Sequence, residues 1–355
     1  MQSVAVVGGG VIGLSIALAA SDAGWRVRVV DAGVADRASH VAGGMLGSLG
    51  EGIPGEETLL AMSVESVRRW PALIDRLGDP NVVTATDSLF VAGTAADLHR
   101  LDHLARFVWS QQTDARTVLT SITGRDIRAL ETALSTRLVG GYRAEGEWAL
   151  DNRRLLTALR DTARASGVVF DDTRIGSRDA LDDDQVVLAA GLGTNALWPQ
   201  AQLQAAKGEV LRLRRTRSSV PPPRHVIRAA VGGRNVYLVP RADGIVVGAT
   251  QYEAPVDAGD ILPEAGGVLD LLADATEVMP GLRTYELVEA GAGLRPCTAD
   301  GLPIIRRLDE RTVVATGHGR NGIVLAPLTA DEVVGLLGDP RRAPTPAAMT
   351  SGGER

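Results

Sequence analysis

The sequence predicts an α/β fold: a doubly wound parallel-sheet domain that carries an inserted α+β domain built on an antiparallel sheet. Three observations predict it. The chain opens as strand, glycine turn, helix, strand; the same kind of segment returns after residue 145 and again near residue 312; and the stretches between are short β-like runs separated by turn residues.

The opening unit is Val4–Val7, the turn Gly8–Gly13, a helix through Leu14–Ala23, and Val27–Val30. From Glu56 to Leu77 the residues Leu59, Leu60, Met62, Val67, Trp70, Leu73 and Leu77 recur at helical spacing, which predicts one or two helices. Beyond Pro80 come β-like runs at Val82–Val83 and Ser88–Val91, a polar helix near Ala95–Val108, and Leu138–Tyr142. Parallel-sheet character resumes with a helix at Arg153–Ser166, a strand at Val168–Phe170 and the apolar run Gln185–Gly191. Glu209–Leu213, Val236–Val239 and Ile245–Val247, interrupted by the Pro221–Pro223 cluster, predict an antiparallel sheet. A helix at Gly267–Val278, a strand at Thr312–Ala315 and a helix at Leu328–Leu337 complete the reading. The expected division is 1–80, 145–205 and 290–340 for the nucleotide-binding domain, 81–144 and 206–289 for the substrate domain, and 341–355 for a disordered Pro, Ser, Gly and Arg-rich tail.

Composition narrows the function classes. A length of 355 residues with 45% hydrophobic content allows two lobes with separate cores. The formal charge of -6, from 43 acidic and 37 basic residues without a dense basic run, argues against nucleic acid as a partner. Cys297 is the sole cysteine, so no intrachain disulfide and no multi-cysteine metal site is expected. No apolar run reaches membrane-spanning length, and the first strand begins too early for a signal segment, so the expectation is a soluble cytoplasmic protein without a metal. The scarcity of lysine, Lys207 alone, carries no functional weight.

Gly8, Gly10 and Gly13 form G-x-G-x-x-G between a strand and a helix, the Rossmann-like setting that dinucleotide binding requires. Gly8 permits the tight turn, Gly10 lets backbone approach a pyrophosphate, and Gly13 allows the helix to pack close to the strand. The helix N-terminus offers free N–H groups to phosphate oxygens. Asp31 ends the second strand 18 residues after Gly13, where a carboxylate accepts from ribose hydroxyls and disfavours a 2′-phosphate. These residues do not separate NAD from FAD.

Four further stretches do. SHVAGGML at Ser39–Leu46, VVLAAGLGTNAL at Val186–Leu197, GLRPCTADGLPII at Gly293–Ile305 and GHGRNGIVLAP at Gly317–Pro327, with VYLVPRADGIVVGAT at Val236–Thr250 among them, run in order along nearly the whole chain. In this the sequence resembles the D-amino-acid oxidase superfamily, and most closely the glycine oxidases linked to thiamine thiazole synthesis. The resemblance implies a glutathione-reductase-like FAD-binding domain and non-covalent FAD. It implies flavin contacts from Ser39, Gly43, Gly44 and Met45, an adenine contact from the main chain at Ile175, and further contacts from Gly191 and from the turn His318, Gly319, Arg320, Asn321, Gly322, Ile323 and Val324. Val11 and Ile12 join the glycine cradle, and Ala32 stands beside Asp31.

For the substrate, the resemblance implies that Arg295, in GLRP, grips a carboxylate with its planar fork. Arg320 matches a second arginine near flavin and substrate, Tyr237 a pocket tyrosine, and Gln251 falls on the expected pocket wall. Gly232 stands where the family pattern suggests a second tyrosine, so the loop Ala229–Arg234 is expected to form a more open entrance. Cys297 does not match the attachment cysteine of the covalent sarcosine oxidases; Gly293 occupies that place. The implied activity is oxidation of glycine or another small amino acid, with a hydride passing from Cα to flavin N5 and oxygen reduced to hydrogen peroxide. Iminoacetate, which hydrolyses to glyoxylate and ammonia, would feed thiazole synthesis, and a homo-oligomer is expected. The alternatives are a sarcosine or D-amino-acid oxidase or dehydrogenase of the same fold, or a flavin-binding scaffold or sensor without turnover.

Overall fold

A computed structural model describes residues 2–33, 38–49, 52–112, 114–254 and 261–339; the tail expected at 341–355 lies outside the described residues. Its strands are β1 (Ser3–Val7), β2 (Arg26–Val30), β3 (Val83–Ala92), β4 (Leu119–Thr123), β5 (Gly140–Leu150), β6 (Val169–Asp171), β7 (Gln185–Leu188), β8 (Gln204–Arg214), β9 (Val226–Val231), β10 (Arg234–Arg241), β11 (Gly244–Gly248), β12 (Tyr252–Ala254), β13 (Glu286–Cys297), β14 (Ile304–Arg307) and β15 (Thr312–Thr316).

Two sheets result. The first has the order β14-β15-β7-β1-β2-β6, parallel throughout except for the antiparallel edge strand β14. Every residue of β1 is buried, as expected of a strand covered on both faces, and its run SVAVV supplies the apolar side chains. The helix Asn152–Ala165 packs through Leu155, Leu159 and Ala163, spaced four apart on one face, and is capped by the Asp151 carboxylate, which accepts from the N–H groups of Arg153 and Arg154.

The second sheet has nine strands in the order β12-β8-β11-β10-β9-β3-β5-β4, with β13 also pairing β8. It is antiparallel except where β3 runs parallel to β9. Leu89, Leu211, Ile227, Leu238 and Val247, one from each of five strands, form a core with Leu271, Ala275 and Val278 of the helix Ala265–Val278. Burying side chains of this size contributes about 1.5–3 kcal/mol each.

The periodic stretch from Glu56 to Leu77, read as one or two helices, is two, Glu57–Val67 and Trp70–Leu77. Several other boundaries differ from the sequence reading. Of the two β-like runs after Pro80, Val83 and Ser88–Val91 belong to one strand, β3, irregular between Val83 and Asp87, whereas Val82 ends a single helical turn, Pro80–Val82. The division expected at 145 falls inside β5, and that at 290 falls inside β13, which belongs wholly to the nine-stranded sheet. The sequence AGAG within β13 carries little intrinsic strand preference, and the strand is fixed by its long pairing with β8.

Candidate active site

A cavity of about 1200 Å³ is lined by residues of both sheets, among them Val7, Val30 and Ala315 from the first and Val210, Tyr237 and Arg295 from the second. Its first end is the glycine turn. Gly8 has φ +115, and a Cβ there would stand 2.4 Å from the Ala189 carbonyl oxygen, so no other residue fits without displacing backbone. A Cβ on Gly13 would meet the Gly8 carbonyl oxygen at 1.9 Å; this residue lies behind the cavity wall and sets the helix against the turn. Gly10 caps the helix Val11–Asp22 without a side-chain hydrogen bond of its own, and the Val11 N–H donates to Ser39 Oγ at 3.1 Å. Gly10, Val11 and Ile12 all face the cavity, as do Asp31 and Ala32 from the end of β2 and Ile175 beyond it. Asp31 is buried, with the Arg160 guanidinium 3.5 Å away. A tight glycine turn, an N-terminal helix end and a buried carboxylate are the features that a dinucleotide needs. The residues therefore fit a dinucleotide such as FAD.

The middle of the cavity is walled by Ser39, Gly43, Gly44 and Met45. This loop is clamped from behind. The Asn152 amide donates to the carbonyls of Ser39 and His40, both at 2.8 Å, and Arg241 Nη2 donates to the Gly43 carbonyl at 3.0 Å. Gly44 (φ +83) has the Leu150 carbonyl where a Cβ would be, at 2.0 Å. Burial pulls the Arg241 pKa down to about 10; Asp151, 3.7 Å away, opposes that shift and Arg212 adds to it. Neither Arg241 nor Asn152 emerged from the sequence reading. A charged residue closing the buried run YLVPR was the available signal for Arg241, because such a charge needs partners.

At the other end, Arg295 stands on β13 in register with Ala206 of β8, its guanidinium lying over Gly208, where a Cβ would be 2.3 Å from Nη2. Nη1 reaches the Thr250 carbonyl at 3.5 Å. Tyr237 on β10 faces the cavity, and its ring is admitted by Gly43 and Gly248, at either of which a Cβ would collide with it. Gln251 also lines this end. Arg320, on the single turn Gly319–Asn321, is paired with Glu56, Nη1 lying 3.3 Å from Oε1 and Nη2 engaging Oε2. Glu56 lines the cavity and was not anticipated. Cys297 is held above its ordinary pKa by burial, against the opposing positive charges of Arg295 and Arg320.

Gly191, Gly319, Asn321, Gly322, Ile323 and Val324 all reach the cavity wall beside His318. His318 is buried, with Nε2 3.0 Å from Thr329 Oγ1, and burial pushes its pKa down to about 3, leaving it neutral. The helix that follows begins only at Ala326. The segment Ala229–Arg234, expected to form a more open entrance, is the end of β9 and a tight hairpin turn at Gly232 and Gly233, both at positive φ. Their N–H groups donate to the Asp97 carboxylate at 3.0 Å each, and Asn235 faces the cavity in place of Gly232.

Residues 3–336 match the family model described as FAD dependent oxidoreductase. The chain belongs to this family. Among similar proteins, a bifunctional protein ThiO/ThiG of Trichormus variabilis is 27% identical over 97% of this chain, which spans only 54% of that relative's length. A glycine oxidase of Geobacillus kaustophilus is 29% identical, the match covering 94% of this chain and 92% of the relative. The crystal structure of glycine oxidase from the same organism superposes with a TM-score of 0.83 at 27% identity, covering 98% of this chain and 97% of that one. FAD is thus the cofactor of this family member, and the turn, helix end and carboxylate between Gly8 and Asp31 are residues that would hold it. Among the described residues, no helix is long and apolar enough to cross a membrane.

Proposed function

We propose that this FAD dependent oxidoreductase is an oxidase of glycine and other small amino acids. The observation that carries the proposal is the meeting of Arg295, Tyr237 and Arg320 in one cavity continuous with the dinucleotide cradle. The glycine oxidase relatives over most of the chain support the substrate class.

In this reading Arg295 binds the substrate carboxylate bidentately, and its position over Gly208 sets where Cα lies. The Tyr237 hydroxyl orients the bound molecule, its ring held by Gly43 and Gly248. Bound FAD supplies the two-electron acceptor for the Cα–H. The amine must be neutral for its lone pair to assist, and the neutral His318, bonded to Thr329, is not needed as a base. The imine product hydrolyses to an oxo acid and ammonia, and dioxygen becomes hydrogen peroxide. With glycine the products are glyoxylate and ammonia, and iminoacetate captured before hydrolysis would serve thiazole synthesis.

The test is an absorbance scan of the purified protein, then anaerobic addition of glycine, sarcosine and small D-amino acids in turn. Bleaching by glycine, followed by oxygen consumption and peroxide in air, is the expected outcome. A flavin that no amine or amino acid reduces would end the oxidase reading.

A further inference from the structure

β11 ends at Gly248 and β12 begins at Tyr252, and both pair with β8, Gly248 opposite Val210 and Tyr252 opposite Lys207. Between these pairs Ala249, Thr250 and Gln251 stand against only Gly208 and Glu209, so the ladder carries an extra residue. The Thr250 side chain bridges the irregularity. The Glu209 N–H donates to Thr250 Oγ1 at 3.0 Å, and the Thr250 N–H donates back to the Glu209 carbonyl at 3.3 Å. Because the hydroxyl takes the place of a main-chain acceptor, the Thr250 carbonyl is left for another donor, Nη1 of Arg295 at 3.5 Å. Glu209 is itself anchored on the opposite face of β8. Its fully buried carboxylate pairs with Lys207 Nζ at 3.0 Å and accepts from the Glu264 N–H at 2.8 Å.

Among the described residues the Arg295 guanidinium makes no other hydrogen bond or ion pair. Gly208 opens the space beneath the fork but has no side chain to aim it. The long bond to Thr250 gives direction while leaving the remaining N–H donors for a ligand. Thr250 also lines the cavity. We infer that Thr250 is a positioning residue for the substrate carboxylate: its hydroxyl, tied to β8, holds its own carbonyl where it aims the Arg295 fork into the cavity. The inference rests on the proposed role of Arg295.

Acetate, a carboxylate with no amine to oxidise, reads this without turnover. FAD-loaded wild type, Thr250→Val, Thr250→Ser and Arg295→Met are titrated with acetate, and perturbation of the flavin absorbance gives the affinities. Valine keeps the shape of threonine without the acceptor, whereas serine keeps the acceptor. Acetate affinity should fall by about three- to tenfold in Thr250→Val, the range of one lost hydrogen bond, while FAD affinity is unchanged. Thr250→Ser should recover the wild-type affinity. Adding Thr250→Val to Arg295→Met should lower the residual acetate affinity no further. Unchanged acetate affinity in Thr250→Val, an equal loss in Thr250→Ser, a full further loss in the Arg295→Met background, or a parallel loss of FAD affinity overturns the inference. If Arg295→Met loses acetate while Thr250→Val does not, the Thr250 role alone is removed; if Arg295→Met binds acetate as wild type does, the Arg295 reading falls and the inference with it.

Discussion

Burial settles what single residues around the cavity can do, and two of them give direct tests. Asp31 is a buried carboxylate facing the cradle from the end of β2. Asp31→Ala should weaken FAD binding by roughly 10- to 100-fold, the loss of a hydrogen bond to a charged group, and flavin retained after dialysis measures it. Equal retention would remove the ribose contact. His318 titrates near 3 in the folded protein against an ordinary value of 6.5, so on acidification the unfolded chain takes up its proton first. The stability that comes from burying it neutral is full above pH 6.5 and is lost progressively as pH falls towards 3. The melting-temperature advantage of wild type over His318→Asn should therefore narrow across that window, and two parallel curves would contradict it. Glycine positions such as Gly8 and Gly13 were legible in the sequence, because their demand is local. Glu56, Asn152 and Arg241 were not: their partners stand 264, 113 and 198 positions away.

Among the elements, those with strong periodicity were legible: β1, the glycine turn, β2, and the helix Asn152–Ala165 with its four-residue apolar spacing. β9 and β13 were missed for different reasons. The run VIRAAV of β9 follows a proline cluster that reads as loop, whereas β13 exposes much of its length and derives its order from β8. The β8–β13 pair matters because it presents Arg295, and Gly208 on β8 leaves the space its guanidinium occupies. Gly208→Ala puts a methyl group against the tip of a flexible side chain, so the fold should hold while Arg295 shifts. KM for glycine should rise by about tenfold, the equivalent of roughly 1.4 kcal/mol of binding, with normal FAD content. Unchanged KM would mean that Arg295 does not bind substrate from this position.

At the scale of the whole molecule, the two sheets divide the cavity: the parallel sheet brings the glycine turn and Asp31 to one end, and the nine-stranded sheet carries Tyr237 and Arg295 to the other. The fold class was legible from the order of segments. The borders were not, since β5 and β13 run through the positions where a change of domain was expected. In the proposed mechanism the substrate amine reacts neutral, so kcat/KM for glycine should rise towards alkaline pH, and a flat profile would exclude deprotonation before oxidation. The most direct test of the account is anaerobic reduction of the bound flavin by glycine, in wild type and Arg295→Lys matched for FAD content. Wild type should bleach over a saturable concentration range, and the variant, keeping the charge but losing the planar fork, should fall by roughly 30- to 1,000-fold in reduction efficiency, or about 2–4 kcal/mol. Superimposable reduction curves for the two proteins would contradict it.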